Sequence, residues 1–260
     1  MVRLRWYDYV TYNVYWFALS MGSAALTPLV LPLLVQHFVA ADVKNTALGM
    51  LRASGLIVAV LIQPAAGLLS DRSTSRWGRR RPFIAVGGLL SAILVLAVAA
   101  APSYWALFVI MLFLQFASNI AHGALQGIIP DQVPEGQRGR ISGVKAIMEL
   151  APTIIVALAF SAKRMAEPGQ FWSVIGLVAA CYLAGMLITV VRVRETPLGE
   201  PPEGSVREPM LRVLGLVVGV GLGVLVGALL GGLGGGLAGL VTWTLAGGAQ
   251  AWLVGVAVAG

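Results

Sequence analysis

Apolar residues run along this chain in long blocks, and polar residues gather in the short gaps between them. About 20 consecutive apolar residues in a helix span the roughly 30 Å of a bilayer's hydrocarbon core. By that measure the pattern predicts membrane helices over Tyr12–Val39, Thr46–Ser70, Phe83–Ala101, Tyr104–Ile129, Ile141–Ala162 and Phe171–Val191. The stretch RVRETPLGEPPEGSVREP (192–209) then breaks the pattern with prolines and charges, as a linker does. Two further apolar blocks, Met210–Leu230 and Leu237–Ala259, flank GGLGGG (231–236), a glycine run that makes a poor helix interior and a natural bend. Glycine recurs at every fourth position from Gly215 to Gly239, and such small-residue faces let helices approach closely in lipid. The expected fold is therefore all-α: a polytopic membrane protein of about eight helices. Its parts are a six-helix bundle in 1–192, a cytoplasmic linker in 193–209 and a Gly-rich transmembrane hairpin in 210–260. The hairpin has no ionisable residue after Arg212, so no solute or proton site is expected there.

Composition agrees: 58% of residues are hydrophobic and 11% charged, with mean hydropathy +0.86, too apolar for a water-soluble surface. The net charge of +7 raises nucleic acid as a partner, but the arginines sit in short loops between membrane blocks and not on a basic stripe with stacking aromatics, so no nucleic acid is expected. The one cysteine, Cys181, lies in an apolar block, which excludes an intramolecular disulfide and a thiolate metal cluster. The apolar segment behind MVRLRWYDYV reaches about Val39, longer than a signal-peptide core, and is expected to remain as a helix. No metal-spaced cluster, nucleophile elbow or Walker loop appears, so the chain does not read as an enzyme and no cofactor is expected.

Lysine and arginine set orientation, because short basic loops stay on the cytoplasmic side. With the N-terminus inside, thirteen arginines (Arg3, Arg5, Arg72, Arg76, Arg79, Arg80, Arg81, Arg138, Arg140, Arg192, Arg194, Arg207 and Arg212) fall inside. Lys44, Lys163 and Arg164 fall outside. The expected location is the cell (inner or plasma) membrane, multi-pass, with a cytoplasmic N-terminus.

One loop carries more detail than a topology anchor requires. GLLSDRSTSRWGRRRPF (67–83) places Gly67 four residues before Asp71 on one helix face, then Arg72, Gly78, Arg79 and Arg80. The order G-x-x-S-D-R followed by G-R-R-R resembles the loop between helices 2 and 3 of the major facilitator superfamily. The longer QPAAGLLSDRSTSRWGRRRPFI (63–84) resembles the sucrose and glycoside-pentoside-hexuronide transporters within it. Weaker echoes stand in TPLVLPLL (27–34) and NIAHGALQGIIPD (119–131). The resemblance implies the N-terminal bundle of such a transporter. It also implies that the loop latches two transporter halves, with Asp71 facing a partner helix in the second half. No resemblance to a second half is seen after Pro209. Within the chain the expected local partners are Asp131, Arg138 and Arg140, an inverted copy of the same acid-and-arginine arrangement.

A solute route through a membrane needs polar side chains facing inward. On the fourth span Gln115, Asn119, His122 and Gln126 fall within roughly 60° of arc, and on the first Tyr12, Trp16, Ser20, Ser23 and Thr27 fall within roughly 80°. Aromatic faces beside hydroxyls suit a sugar ring. The alternatives are packing glue between helices for the first stripe and interfacial anchoring for Tyr12 and Trp16. Lys145 and Glu149, four apart on the fifth span, either neutralise each other or bind solute or proton. Arg52 reads as snorkelling to the outer interface. His122 is the intramembrane group whose ordinary titration range lies near neutral pH. Asn119 and Pro130 stand where the plant sucrose transporters have an aspartate and an arginine, so their coupling mechanism does not carry over, and His122 stands where the family has an amide.

The substrate-binding candidates are thus Tyr12, Trp16, Asn119, His122, Gln126, Lys145 and Glu149. The conformational candidates are Gly67, Asp71, Arg72, Gly78, Arg79, Arg80, Asp131 and Arg138. The resemblance implies cation-coupled symport of a sugar, glycoside or similar small polar solute by alternating access, with H+ or Na+ as coupling ion. One half of such a transporter is represented, the second being missing or separate. The competing expectation is a non-transporting assembly or scaffold factor built on the same bundle.

Overall fold

The computed structural model describes residues 4–160, 168–193, 195, 197, 198, 211 and 215. Among these residues every regular element is helical. The predicted hairpin over 210–260, with its glycine-mediated packing, lies outside the described residues apart from Leu211 and Gly215, as does most of the linker. The chain divides into two compact units, 1–206 and 207–260, and the helices below all belong to the first.

They are α1 (Trp6–Thr11), α2 (Val14–Ala25), α3 (Leu31–Phe38), α4 (Lys44–Asp71), α5 (Arg81–Ala99), α6 (Tyr104–Gln126), α7 (Ile128–Gln132), α8 (Glu135–Ala159) and α9 (Pro168–Arg192). Among the described residues six stretches are long and apolar enough to cross a membrane: Trp6–Phe38, Lys44–Asp71, Arg81–Ala99, Tyr104–Gln132, Glu135–Ala159 and Gly169–Arg192.

The first predicted helix is broken twice, for reasons visible in its residues. Asn13 interrupts it between α1 and α2, its side-chain amide donating to the Tyr9 carbonyl at 2.8 Å and to the Ile141 carbonyl of α8 at 3.1 Å. Further on, Leu26–Val30 forms a single wide π-turn, in which the Leu31 N–H bonds five residues back to the Leu26 carbonyl. Pro28 lies within this turn and Pro32 follows it, and a proline ring collides with the carbonyl four residues before it, so widening the helix relieves the crowding. The fourth predicted helix also divides: α6 ends at Gln126 with Gly127 as its cap, and the short α7 contains Pro130. The fifth begins earlier than its apolar block, at Glu135 directly after Pro134, where an acid in the first turn favours a helix start.

α5 packs on α6 and α9, α4 on α6, and α2 on α8 and α9, while α3 leans on α4. Lipid tails are as apolar as leucine, so close packing, not hydrophobic burial, must join these helices. Gly67 of α4 and Gly123 of α6 provide one such crossing: a Cβ at Gly67 would lie 3.5 Å from the Gly123 carbonyl, and one at Gly123 would strike the Gln63 carbonyl. Tyr15, Ile84, Leu107, Leu125 and Ile175 are fully enclosed between helices, whereas Ile57, Ile93, Phe113 and Leu158 point outward. That inside-out arrangement is that of a multi-pass membrane protein.

Candidate functional site

Faces of α2, α4, α6, α8 and α9 surround a cavity of about 540 Å³. From α2 and the π-turn come Trp16, Ser20, Ser23 and Thr27, and from α4 come Arg52 and Gln63. α6 supplies Gln115, Ser118, Asn119 and His122, α8 supplies Glu149 and α9 Tyr182. Helical repeat explains the grouping. Arg52 and Gln63 are eleven residues apart, about 20° beyond three full turns, so both project from one face of α4.

Trp16 is the hub. Its ring is 4% exposed, meets His122 edge-on with centroids 5.0 Å apart, and carries the Lys145 ammonium 3.7 Å from its centroid. Lys145 in turn lies 3.5 Å from Glu149. The ammonium is thereby held between a carboxylate and a ring face that attracts cations, two contacts that together make an intramembrane charge tolerable. The indole N–H of Trp16 is buried without an acceptor among the described residues. Asn119 spends its amide on the Gln115 carbonyl at 2.8 Å, and the Ser118 hydroxyl shares that acceptor at 3.3 Å.

Arg52 is exposed and lines the cavity. Its guanidinium donates to the Thr27 carbonyl at 3.2 Å, joining α4 to the π-turn. That carbonyl is open because of the turn: its α-helical donor, the Leu31 N–H, bonds to Leu26, and the next position is Pro32, which has no N–H.

Of the predicted solute residues, Trp16, Asn119, His122 and Glu149 meet on the cavity wall, and Lys145 stands on the Trp16 ring beside them. Tyr12 and Gln126 lie outside the wall. Tyr12 precedes the break at Asn13 and is buried among the helices, and Gln126 is the exposed last residue of α6. Arg52, Gln63, Ser118 and Tyr182 join the wall although the sequence pattern does not mark them as solute ligands. For the first two the available signal is their shared face on α4.

A second constellation occupies the bundle end that carries the arginine-rich loop. Arg80 is 5% exposed and holds three elements together. It pairs with Asp71 at the end of α4, donates through Nε to Asp131 of α7 at 2.8 Å, and donates to the Ala124 carbonyl in the last turn of α6 at 3.3 Å. A cation there also complements the negative end of the α6 dipole. Its guanidinium lies against Gly127, where a side chain would collide with it. Arg79 also pairs with Asp131. Gly78 turns the loop with φ +104°, a conformation that suits glycine. Arg138 bonds the Pro130 and Val133 carbonyls at 2.9 and 3.1 Å, bracing α7 against α8 and taking no part in pairing with Asp71. Arg72 has an interaction of its own. Glu195, which no sequence pattern marks, accepts the Arg80 and Arg81 backbone N–H groups at 2.8 and 3.2 Å. Its carboxylate thus caps the N-terminus of α5, where a negative charge is favoured.

Residues 17–246 match the family described as MFS/sugar transport protein. The chain belongs to this family. The expected N-terminal bundle of a transport family therefore stands, and the family is one of transporters and not of enzymes. Shorter stretches are similar to named transporters. Sucrose transport protein SUT1 of Oryza sativa subsp. japonica is 48% identical over 44 residues, 17% of this chain and 8% of that protein. The general alpha-glucoside permease of Schizosaccharomyces pombe is 47% identical over 49 residues, 19% of this chain and 9% of that protein. Sucrose transport protein SUC3 of Arabidopsis thaliana is 46% identical over 44 residues, 17% and 7%. The similar stretch thus spans less than a tenth of each relative's length.

Proposed function

We propose that this bundle is the N-terminal half of a secondary active transporter that carries a sugar, glycoside or similar small polar solute by alternating access. One observation carries the reading: polar side chains from separate helices converge on a single cavity around Trp16, inside a protein whose outer faces are apolar. In a membrane such groups are retained where they line a route for something polar. Solute hydroxyls exchange water for the side chains of Gln63, Gln115, Ser20 and Ser23, while the unpartnered indole N–H of Trp16 donates to one of them. Glu149 is the acid on the wall, so a coupling H+ or Na+ acts through it and its contact with Lys145. Names of the similar proteins, sucrose transport protein and alpha-glucoside permease, support the solute class.

Alternating access requires a second bundle rocking against this one around a fixed site. The Arg80 cluster, with Asp71, Asp131 and Glu195, is the device that holds one of the two states. Its loop faces the cytoplasm of a cell membrane, with the N-terminus on the same side, as the placement of arginine indicates.

The test is uptake of radiolabelled sucrose and maltose by the full-length protein in liposomes, with and without an imposed H+ or Na+ gradient. Saturable uptake that a gradient accelerates is the expected result. A well-folded protein that binds and moves none of a broad panel of small solutes, and instead purifies with a pigment or protein partner, overturns the proposal in favour of the scaffold role.

A further inference from the structure

Arg52 stands two turns inside α4 from Lys44, exposed on the cavity wall. An intramembrane arginine is retained when something answers its charge. Among the described residues no acid lies within ion-pair distance of it; its partner is the neutral Thr27 carbonyl. The one acid on the wall, Glu149, is already matched by Lys145 at 3.5 Å. With that pair matched, Arg52 is a cation of the wall without an acidic partner among the described residues, and its exposed side chain is open to a solute in the cavity. A guanidinium has five N–H donors, and the Thr27 bond anchors one edge of it, leaving donors for a ligand beside the hydroxyls of Ser23 and Thr27.

We infer that Arg52 is the anion-recognising residue of the cavity, and that the solute is a sugar derivative bearing an oxyanion, either a carboxylate or a phosphate ester. The inference rests on reading the cavity as the transport site. A planar fork of donors matches two oxygens of one anionic group, a fit that separate neutral hydroxyls do not reproduce. About 16 Å of helix separates Arg52 from Gln63, which leaves room for the sugar ring beside Gln115 and Asn119 while its anionic group reaches Arg52. The anchor is intrinsic to the fold, because the π-turn and Pro32 expose the Thr27 carbonyl that aims the guanidinium.

The experiment measures competition for the site in the reconstituted full-length protein, using methyl glucoside, methyl glucuronide and glucose 6-phosphate. One of the two anions is expected to bind about 10- to 100-fold more tightly than methyl glucoside, the range of a hydrogen bond to a charged group. Which anion wins separates carboxylate from phosphate. Arg52→Gln should bring the ratio of anionic to neutral affinity close to one, and Arg52→Lys, which keeps the charge but not the fork, should retain part of it. An Arg52→Gln protein that fails to fold leaves the wild-type ratio and the Arg52→Lys ratio to decide. Equal or tighter binding of methyl glucoside by the wild type overturns the inference and leaves the transporter reading intact. Absence of binding by all three solutes, and of any solute uptake, overturns both.

Discussion

Replacing Arg80 with glutamine removes the cation that ties α4, α6 and α7 together, and the structure sets the size of the effect. The side chain is 6% exposed and loses contact with two carboxylates and one carbonyl. Breaking a fully buried ion pair costs about 3–5 kcal/mol, because the stranded charge stays out of water. Here the stranded partners are wetter: Asp71 is 45% and Asp131 27% exposed at the side chain. Solvent can answer them, so the expected loss is about 2–3 kcal/mol. For a bundle of this size that corresponds to about 4–12 °C in melting temperature. Arg79 is the internal control. It pairs with the same Asp131, but at 26% exposure and without the carbonyl or Asp71 contacts, so Arg79→Gln should cost about 1 kcal/mol or less. Thermal unfolding in detergent, followed by recovery of monodisperse protein after heating, measures both. Equal shifts for the two variants, or a larger one for Arg79→Gln, would refute the assignment of Arg80 as the central tie.

Gly123→Ala places a methyl group against the Gln63 carbonyl and should lower stability by about 1–3 kcal/mol, whereas Gly143→Ala, with no atom within 4 Å of its Cβ position, should be neutral or stabilise by up to about 1 kcal/mol in the same melting assay. Asn119→Ala and His122→Ala should each raise the half-saturating solute concentration about fivefold or more, the loss of one hydrogen bond, while Gln126→Ala, outside the cavity wall, should leave it within about twofold; initial uptake rates decide. In a Cys181→Ala background, a cysteine at Asn45 should react with a membrane-impermeant maleimide in intact cells and one at Ser75 should not, and labelling at Ser75 would invert the orientation.

What periodicity encodes decides how much of the bundle and its cavity is legible in the chain. Hydrophobic length locates all six spans of the bundle, and the 3.6-residue repeat assigns Asn119 and His122 to one face, the face that lines the cavity. Periodicity gives a face but not a depth. Gln126 shares that stripe yet falls at the helix end, and Tyr12 falls before the break at Asn13. Pro28 and Pro32 are visible as residues, but that they widen the helix and free the Thr27 carbonyl depends on the packed neighbours, and so the sequence alone does not show the bond from Arg52 to that carbonyl. The Lys145–Glu149 pair is local and legible at spacing four. The seat of Lys145 on Trp16 joins positions far apart in sequence, and nothing local signals it. Asp131 is legible as a partner of the arginine loop because its surroundings repeat the loop's chemistry, whereas Glu195 sits among linker residues with no pattern to mark its role as a helix cap.

The central claim, that the cavity around Trp16 is the solute's path, is tested most directly by protection of a cysteine placed in its wall. Ser23 is exposed to the cavity, so Ser23→Cys in the Cys181→Ala background offers a thiol to a small methanethiosulfonate reagent. At ten times its half-saturating concentration a solute leaves about a tenth of the sites empty, so modification at Ser23 should slow about tenfold while a cysteine at Asn45 reacts at its unprotected rate. Unchanged modification at Ser23, in a variant that still transports the saturating solute, would contradict the account.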